Sequence, residues 1–346
     1  MLFQQILITI LSSFQNERTI SAAYHLLKGK RSGQTIQDVG LFKLYAYFGL
    51  LPKLPRKKFD EQVDILFAKN FILLEESGYY QLTDEGKEAA KNALKITFDG
   101  WYYRGNEHLF FGRLSLIVQA LSYQLNGMKA FIPIEHNELV QHWVRQFLMH
   151  HNYQKQLLQQ PLYDEMVNSL EQLPFEENLK EIVVYRLTGF NQPGLTWQQL
   201  AFGYHKQELD VQLLYISILH HWLNEIYRAP ERYPILSRVA QGVRIEALLT
   251  DSANTTAKLY KKGYTIEQIC QMRKLKMSTI EDHLVELAMN DPSFLIEPFV
   301  SAQLQQQILE AVEAYDTKRL RTLHEILPHI DYFQLRLTLA KGATNS

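Results

Sequence analysis

Six residues within a short stretch near the C-terminal end could engage a phosphate backbone: Arg273, Lys274, Lys276, Ser278, Thr279 and His283. Long cations followed by hydroxyls and an imidazole supply charge first and short hydrogen-bonding groups second, which suits contact with phosphate and sugar better than base readout. A second basic set lies near the N-terminus at Lys28, Lys30, Arg31, Lys53, Arg56, Lys57 and Lys58. With Lys43 these make eight basic residues against the single acid Asp38 between positions 28 and 58. Either set could bind DNA or an acidic partner.

Nothing comparable points to catalysis. There is no Gly-x-x-x-x-Gly-Lys-Ser/Thr loop, since Lys28-Gly29-Lys30-Arg31-Ser32 lacks the upstream glycine that lets backbone amides cradle phosphates, and a helicase motor is therefore excluded from this chain. His-Glu-x-x-His, Gly-x-Ser-x-Gly and a dinucleotide fingerprint are also missing. The adjacent His220 and His221 would point about 100° apart on a helix and would not converge on one ion. The pairs Asp164-Glu165 and Glu176-Glu177 read as solvated helix faces. Cys270, the only cysteine, reads as a small buried hydrophobe rather than a nucleophile. The expectation is a non-enzymatic protein with no catalytic residues, no metal and no cofactor.

The elements that must hold the C-terminal set in place are legible. Thr265-Ile266-Glu267-Gln268 has capping-box spacing, and Ser278-Thr279-Ile280-Glu281 has it again thirteen residues on. Ile266, Ile269 and Cys270 would form one apolar face and Met277, Ile280, Leu284 and Leu287 the other, so two short helices should pack across the turn Arg273 to Met277. That is helix-turn-helix geometry. Helices over 301–315, 317–327 and 331–341 would complete the module. Near the N-terminus, Lys57 to Lys69 reads as a helix with Phe59, Val63 and Leu66 on one face. Two short strands follow, 71–75 and 79–82, joined by Glu76-Ser77-Gly78, and then an acid-rich helix start at Thr83-Asp84-Glu85.

Between the two ends, Leu114 to Leu125 and Leu139 to Leu148 repeat at helical spacing, and Leu213 to Ile226 is apolar nearly all round. Thr196-Trp197-Gln198-Gln199-Leu200-Ala201 reads as a helix cap first and as the start of a further helix-turn-helix second. Glycine and proline are scarce, 27 in 346 residues, which favours helix. The fold class is therefore mainly α, multi-helical, with an N-terminal winged-helix-like unit and a C-terminal helix-turn-helix module. The expected divisions are 1–100, 101–250 and 251–346.

The net charge of -1 hides an uneven distribution. Residues 28–58 and 255–276 are basic, whereas 161–185 carries six acids against Lys180 alone. No apolar run reaches the roughly 18 residues of a membrane span. The segment Met1 to Leu11 has the look of a buried helix rather than a signal peptide, and a single cysteine fits a cytoplasmic protein.

Gly263 to Cys270 followed by Leu275 to Leu284 resembles the helix-turn-helix domain at the C-terminus of bacterial RecQ-type helicases, over about Ala253 to Lys341. Ile72 to Ala90, with its Leu82-Thr83-Asp84-Glu85-Gly86-Lys87 turn, resembles the wing and closing helix of winged-helix domains. The whole chain resembles the YpbB family of bacterial proteins linked with a RecQ-type helicase. That resemblance implies a DNA-maintenance setting, a RecQ-type helicase partner and a nucleoid-associated location. It also implies a receptor for the acidic tail of the single-stranded DNA-binding protein at Lys53, Arg56, Lys57 and Lys58. The chain departs from sequence-reading proteins in placing Glu281 and Asp282 on its recognition helix, where they would face phosphate, and Lys274 where a turn glycine is usual. Three readings follow: a DNA repair or recombination accessory, a purely protein-binding adaptor, and a transcription regulator using the winged helix.

Overall fold

A computed structural model of the chain describes residues 1–75, 78–94, 96–128, 130–151, 153–246 and 249–344. Glu76 and Ser77 of the expected hairpin turn lie outside the described residues. In chain order the helices begin with α1 (Leu2–Ser13), α2 (Ile20–Leu27), α3 (Gly33–Leu41) and α4 (Arg56–Ala68), then strands β1 (Ile72–Leu74) and β2 (Tyr80–Leu82), then α5 (Asp84–Lys91). The next are α6 (Gly100–Tyr103), α7 (Glu107–Leu125), α8 (Glu138–His150), α9 (Gln159–Glu171), α10 (Glu177–Tyr185), α11 (Trp197–Gly203), α12 (Glu208–Arg228) and α13 (Pro234–Val239). The last are α14 (Asp251–Lys261), α15 (Ile266–Arg273), α16 (Met277–Asn290), α17 (Ala302–Tyr315), α18 (Leu320–Ile326) and α19 (Tyr332–Thr344). The fold is mainly α, with one antiparallel hairpin among the described residues.

Two compact units emerge. A middle unit comprises Met1–Ile6, Gly49–Pro52 and Leu94–Ile245, and a terminal unit comprises Leu7–Phe48, Lys53–Ala93 and Glu246–Ser346. Most of the N-terminal hundred residues thus share a unit with the C-terminal helices.

In the middle unit α12 is buried along most of its length, from Val211 through Trp222 to Ile226, as its unbroken apolar run requires. The Trp222 indole donates to Ser169 Oγ at 2.7 Å, so its polar edge is satisfied inside the core. His220 and His221 go separate ways. His220 Nδ1 accepts from the Asp99 amide at 3.0 Å, and His221 meets Ser217 O and Thr97 Oγ1. Glu165 corrects the reading of a solvated acid pair: it is buried, and its carboxylate accepts from the amides of Ile235 (3.1 Å) and Leu236 (2.9 Å). Those are orphan donors at the start of α13, and an anion there also meets the positive end of the helix dipole.

In the terminal unit the center is α16, packed by α14, α15, α19 and α3. Helix α3 can approach so closely because of its glycines: a Cβ at Gly40 would lie 2.0 Å from Met289 Sδ, and one at Gly33 2.3 Å from the Asp282 carboxyl carbon. Around them Thr35, Gln37 and Asp38 are buried despite their polarity, Asp38 being held by Arg18 at 2.8 Å. Phe59, Val63 and Leu66 of α4 are buried as the periodicity predicts. The hairpin pairs Ile72 with Leu82 and Leu74 with Tyr80, and the Tyr80 hydroxyl donates to Leu11 O at 2.6 Å, fastening the wing to α1. Thr83 caps α5 by accepting from the Gly86 amide at 3.0 Å.

Candidate nucleic-acid interface

Each helix of the C-terminal motif starts or ends on a local device. Thr265 Oγ1 accepts from the Gln268 amide at 3.3 Å while Gln268 Oε1 accepts from the Thr265 amide at 2.9 Å, completing the expected capping box on α15. The second expected box does not form, because α16 starts at Met277 with Lys276 as its cap, which places Ser278 and Thr279 inside the first turn. Between the helices Lys274 adopts the left-handed conformation, φ 52° and ψ 41°, at the position where glycine is usual. The turn therefore has its normal geometry, with a strain of about 1 kcal/mol for the side chain carried there.

Packing then separates the six expected contact residues into two groups. Lys274, Lys276 and Ser278 are exposed and Thr279 is half-buried, so these four lie together on the turn and the tip of α16. Ile280, Leu284 and Leu287 are almost wholly buried, as the apolar face expected of them requires, and Ala288 is buried with them. His283 is also buried, with Nδ1 2.9 Å from Thr256 Oγ1, and is not a surface contact residue. Arg273 turns inward as well, donating to Ser252 O (2.7 Å), Ser252 Oγ (3.0 Å) and Thr256 Oγ1 (2.5 Å). It braces α15 against α14. Burial, followed by the neighboring guanidinium of Arg273, pushes the His283 pKa down to about 4.

The carboxylates expected to face phosphate are placed otherwise. Asp282 is half-buried and pairs with Arg336 Nη2 at 2.5 Å, while Arg336 Nε donates to Gln37 Oε1 at 2.9 Å. Glu281 is half-buried, and burial raises its pKa, with a further contribution from Asp331. Cys270 is half-exposed rather than buried, with Sγ 4.0 Å from Met277 Sδ; Ile269 is the residue that fills the helix contact.

Part of the N-terminal set also converges. Lys28 Nζ lies 5.6 Å and Arg56 Cζ 5.2 Å from the center of the Tyr24 ring, so α2 and the start of α4 share one cationic face. Arg56 also pairs with Asp60 at 2.8 Å and donates to Ser21 Oγ at 3.2 Å. His25 reports the local field: burial lowers its pKa most, and Lys30, Arg56 and Lys28 each lower it further. Arg31, Lys53, Lys57 and Lys58 are exposed on the adjoining chain. Tyr24 and His25 carry no basic charge at neutral pH and so give no signal in the charge pattern, although both lie within eight residues of Lys30.

The expected cap at Thr196 is present too. Thr196 and Gln199 form a full capping box, His205 takes φ 50°, and α12 begins at Glu208, so α11, turn and α12 repeat the arrangement of α15, turn and α16. Leu200 and Val211 occupy the buried positions held by Ile269 and Ile280. The tip differs in charge. It offers Lys206 beside Glu208, and the Glu208 carboxylate accepts from Gln198 and Gln212.

Comparison with known proteins agrees with this geometry. A family model described as a helix-turn-helix domain matches residues 252–339, which run from α14 into α19. Protein YpbB of Bacillus subtilis (strain 168) is 32% identical over 98% of this chain and 97% of its own length. The chain belongs to the YpbB family. No solved structure matches it. The YpbB-family chain thus carries a helix-turn-helix domain, a fold that points to DNA binding, at the place where Lys274, Lys276 and Ser278 are exposed. None of its described helices is long and apolar enough to cross a membrane.

Proposed function

We propose that this protein is a non-enzymatic DNA-binding accessory in DNA repair or recombination that grips the phosphate backbone with low sequence specificity and acts with a RecQ-type helicase. One observation carries the DNA part: along the turn and α16 the exposed residues are confined to Lys274, Lys276, Met277 and Ser278, with Thr279, Glu281 and Asp282 half-buried, whereas Ile280 and His283 to Met289 are buried. A short cationic tip suits phosphate contact, whereas reading several base pairs asks for more of a helix surface in the groove. The cluster of Lys28, Lys30 and Arg56, with Arg31, Lys53, Lys57 and Lys58 beside it, serves as a second anionic contact, for DNA or for the acidic tail of the single-stranded DNA-binding protein. The helicase partnership rests on the likeness of Ala253 to Lys341 to the helix-turn-helix domain of RecQ-type helicases.

Fluorescence anisotropy on duplex, forked and single-stranded DNA, with salt raised from about 50 to about 200 mM, tests the interface. Removing one cation from a phosphate should flatten the log-log salt dependence on duplex by about 0.9, so Lys274→Glu with Lys276→Glu should flatten it by about 1.8. An unchanged slope would remove the tip from the interface. Crosslinked purification from cells, with and without nuclease, tests the helicase: recovery of a RecQ-type helicase after nuclease treatment supports direct partnership, and its absence refutes it. Charge reversal at Lys53, Arg56, Lys57 and Lys58 should abolish binding of the acidic tail peptide, and unaltered affinity would exclude that receptor. Random-site selection should return no preferred duplex sequence; a clear motif would favor the transcription-regulator reading.

A further inference from the structure

Within the terminal unit, α3 meets α16 at Gly33 against Asp282 and again at Gly40 against Met289, seven residues on in each helix, so the two helices run parallel and in register. Arg336 ties them together between these points through Asp282 and Gln37. Parallel helices begin at the same end. At that end Ser32 caps α3, Arg31 and Lys30 precede it, and the Lys30 amide donates to His25 O at 3.0 Å, which fixes this corner against α2. On α16 the same end carries Met277, Ser278 and Thr279, with Lys274 and Lys276 in the turn before them. Met277 lies about 7.5 Å of helix rise before Asp282, and Arg31 lies two residues, at most about 7 Å of chain, before Gly33. With packed axes about 8–10 Å apart, the two sets of cations stand at about that separation. Lys30, Arg31, Lys274 and Lys276 are all exposed, and no carboxylate pairs with any of them among the described residues. Asp282, the acid on the shared face, is taken up by Arg336. Lys30 also joins this end to the Tyr24 cluster, since it acts on His25 together with Arg56 and Lys28.

We infer that the two basic sets form one footprint for duplex DNA, in which Lys274 and Lys276 hold phosphates of one strand and Lys30 and Arg31 those of the strand across the groove. The inference rests on the DNA reading of the α16 tip and adds that the N-terminal set belongs to the same contact. It commits that set to DNA. A duplex carries phosphates at fixed positions on two strands, on either side of a major groove about 12 Å wide, so it meets two rigid sets of cations at once. A flexible acidic peptide would first have to be ordered along the same line, which costs affinity. The footprint exists only in the folded chain, because its halves come from opposite ends of the sequence and are aligned by the glycines that let α3 lie against α16.

The test titrates the full chain with a duplex of about 12 base pairs, a little over one turn of B-DNA, by anisotropy between about 50 and about 200 mM salt. One footprint predicts one duplex per chain. It also predicts a log-log salt slope flattened by about 1.8 in Lys30→Gln with Arg31→Gln, by about 1.8 in Lys274→Gln with Lys276→Gln, and by about 3.6 in the fourfold variant. All four positions are exposed, so neutral glutamines there leave the core intact. In the wild type, acetylation of Lys30 and of Lys276, read by mass spectrometry, should be blocked by the duplex with one common midpoint. An unchanged slope in Lys30→Gln with Arg31→Gln, beside a flattened one in the tip variant, would overturn the shared footprint and leave the tip reading in place. The reverse pattern, or no duplex binding at all, would remove the tip reading and the shared footprint with it. Two duplexes per chain, or a Lys30 that stays reactive where Lys276 is protected, would also overturn the inference. So would polyglutamate binding that is lost in Lys30→Gln with Arg31→Gln while the duplex slope stays the same, which would make this end a receptor for acidic protein segments.

Discussion

Protonation of His283 should loosen the helix-turn-helix domain in a narrow pH window. Its Nδ1 sits 2.9 Å from Thr256 Oγ1 and 3.4 Å from Arg273 Nη1, so the ring is held as an acceptor next to a permanent cation, and charging it would place two cations together in a buried site. The folded pKa of about 4 lies below the ordinary histidine value of 6.5. The unfolded chain therefore binds the proton first, and stability is full above pH 6.5 and falls as the pH drops toward 4. At about 1.36 kcal/mol per pH unit the full loss is about 3 kcal/mol, of which about 2 kcal/mol should be gone by about pH 5. All four tryptophans belong to the middle unit, so their fluorescence would miss this event. Amide hydrogen exchange of α16, read by mass spectrometry, reports it directly. His283→Asn keeps a neutral acceptor near the Nδ1 position and cannot titrate. It should open more easily than the wild type at about pH 7.5, and the gap should shrink by about 2 kcal/mol at about pH 5. A gap of the same size at both pH values would refute the linkage.

Other substitutions probe the scaffold. Lys274→Gly should relieve the left-handed strain and raise stability of the terminal unit by about 0.5–1 kcal/mol while weakening DNA binding, a combination that thermal unfolding and anisotropy separate. Gly40→Ala would push a methyl group into Met289 and should destabilize α16 by about 1–3 kcal/mol, with partial recovery when Met289→Ala is added; additive effects in that double-mutant cycle would contradict the close approach. Tyr80→Phe leaves Leu11 O without its donor and should lower stability by about 1–3 kcal/mol in urea unfolding, with far-ultraviolet circular dichroism unchanged.

The elements themselves are largely legible because they rest on short-range rules. The helix expected over 57–69 is observed at Arg56–Ala68, the hairpin and Thr83 cap follow it, and the Thr265 and Thr196 capping boxes both form. Helix α3 is not legible. Its glycines oppose helix formation and its buried residues Thr35, Gln37 and Asp38 are polar, so neither propensity nor periodicity marks it; packing against α16 and α19 and the Arg18 to Asp38 pair sustain it. The basic sets are legible as charge but not as surface. Arg273 and His283 belong to one buried network with Thr256, and Asp282 belongs to another with Arg336.

The sequence by itself determined where helices start, turn and pair, and it placed excess positive charge at two points, because caps, periodicity and residue type act over a few positions. Which charges face solvent was decided only by the tertiary structure. Lys274 and Lys276 project from the tip of α16, whereas Arg273, one residue away, is committed to α14. The difference comes from acceptors at Ser252 and Thr256, some twenty residues upstream, that only folding brings within reach.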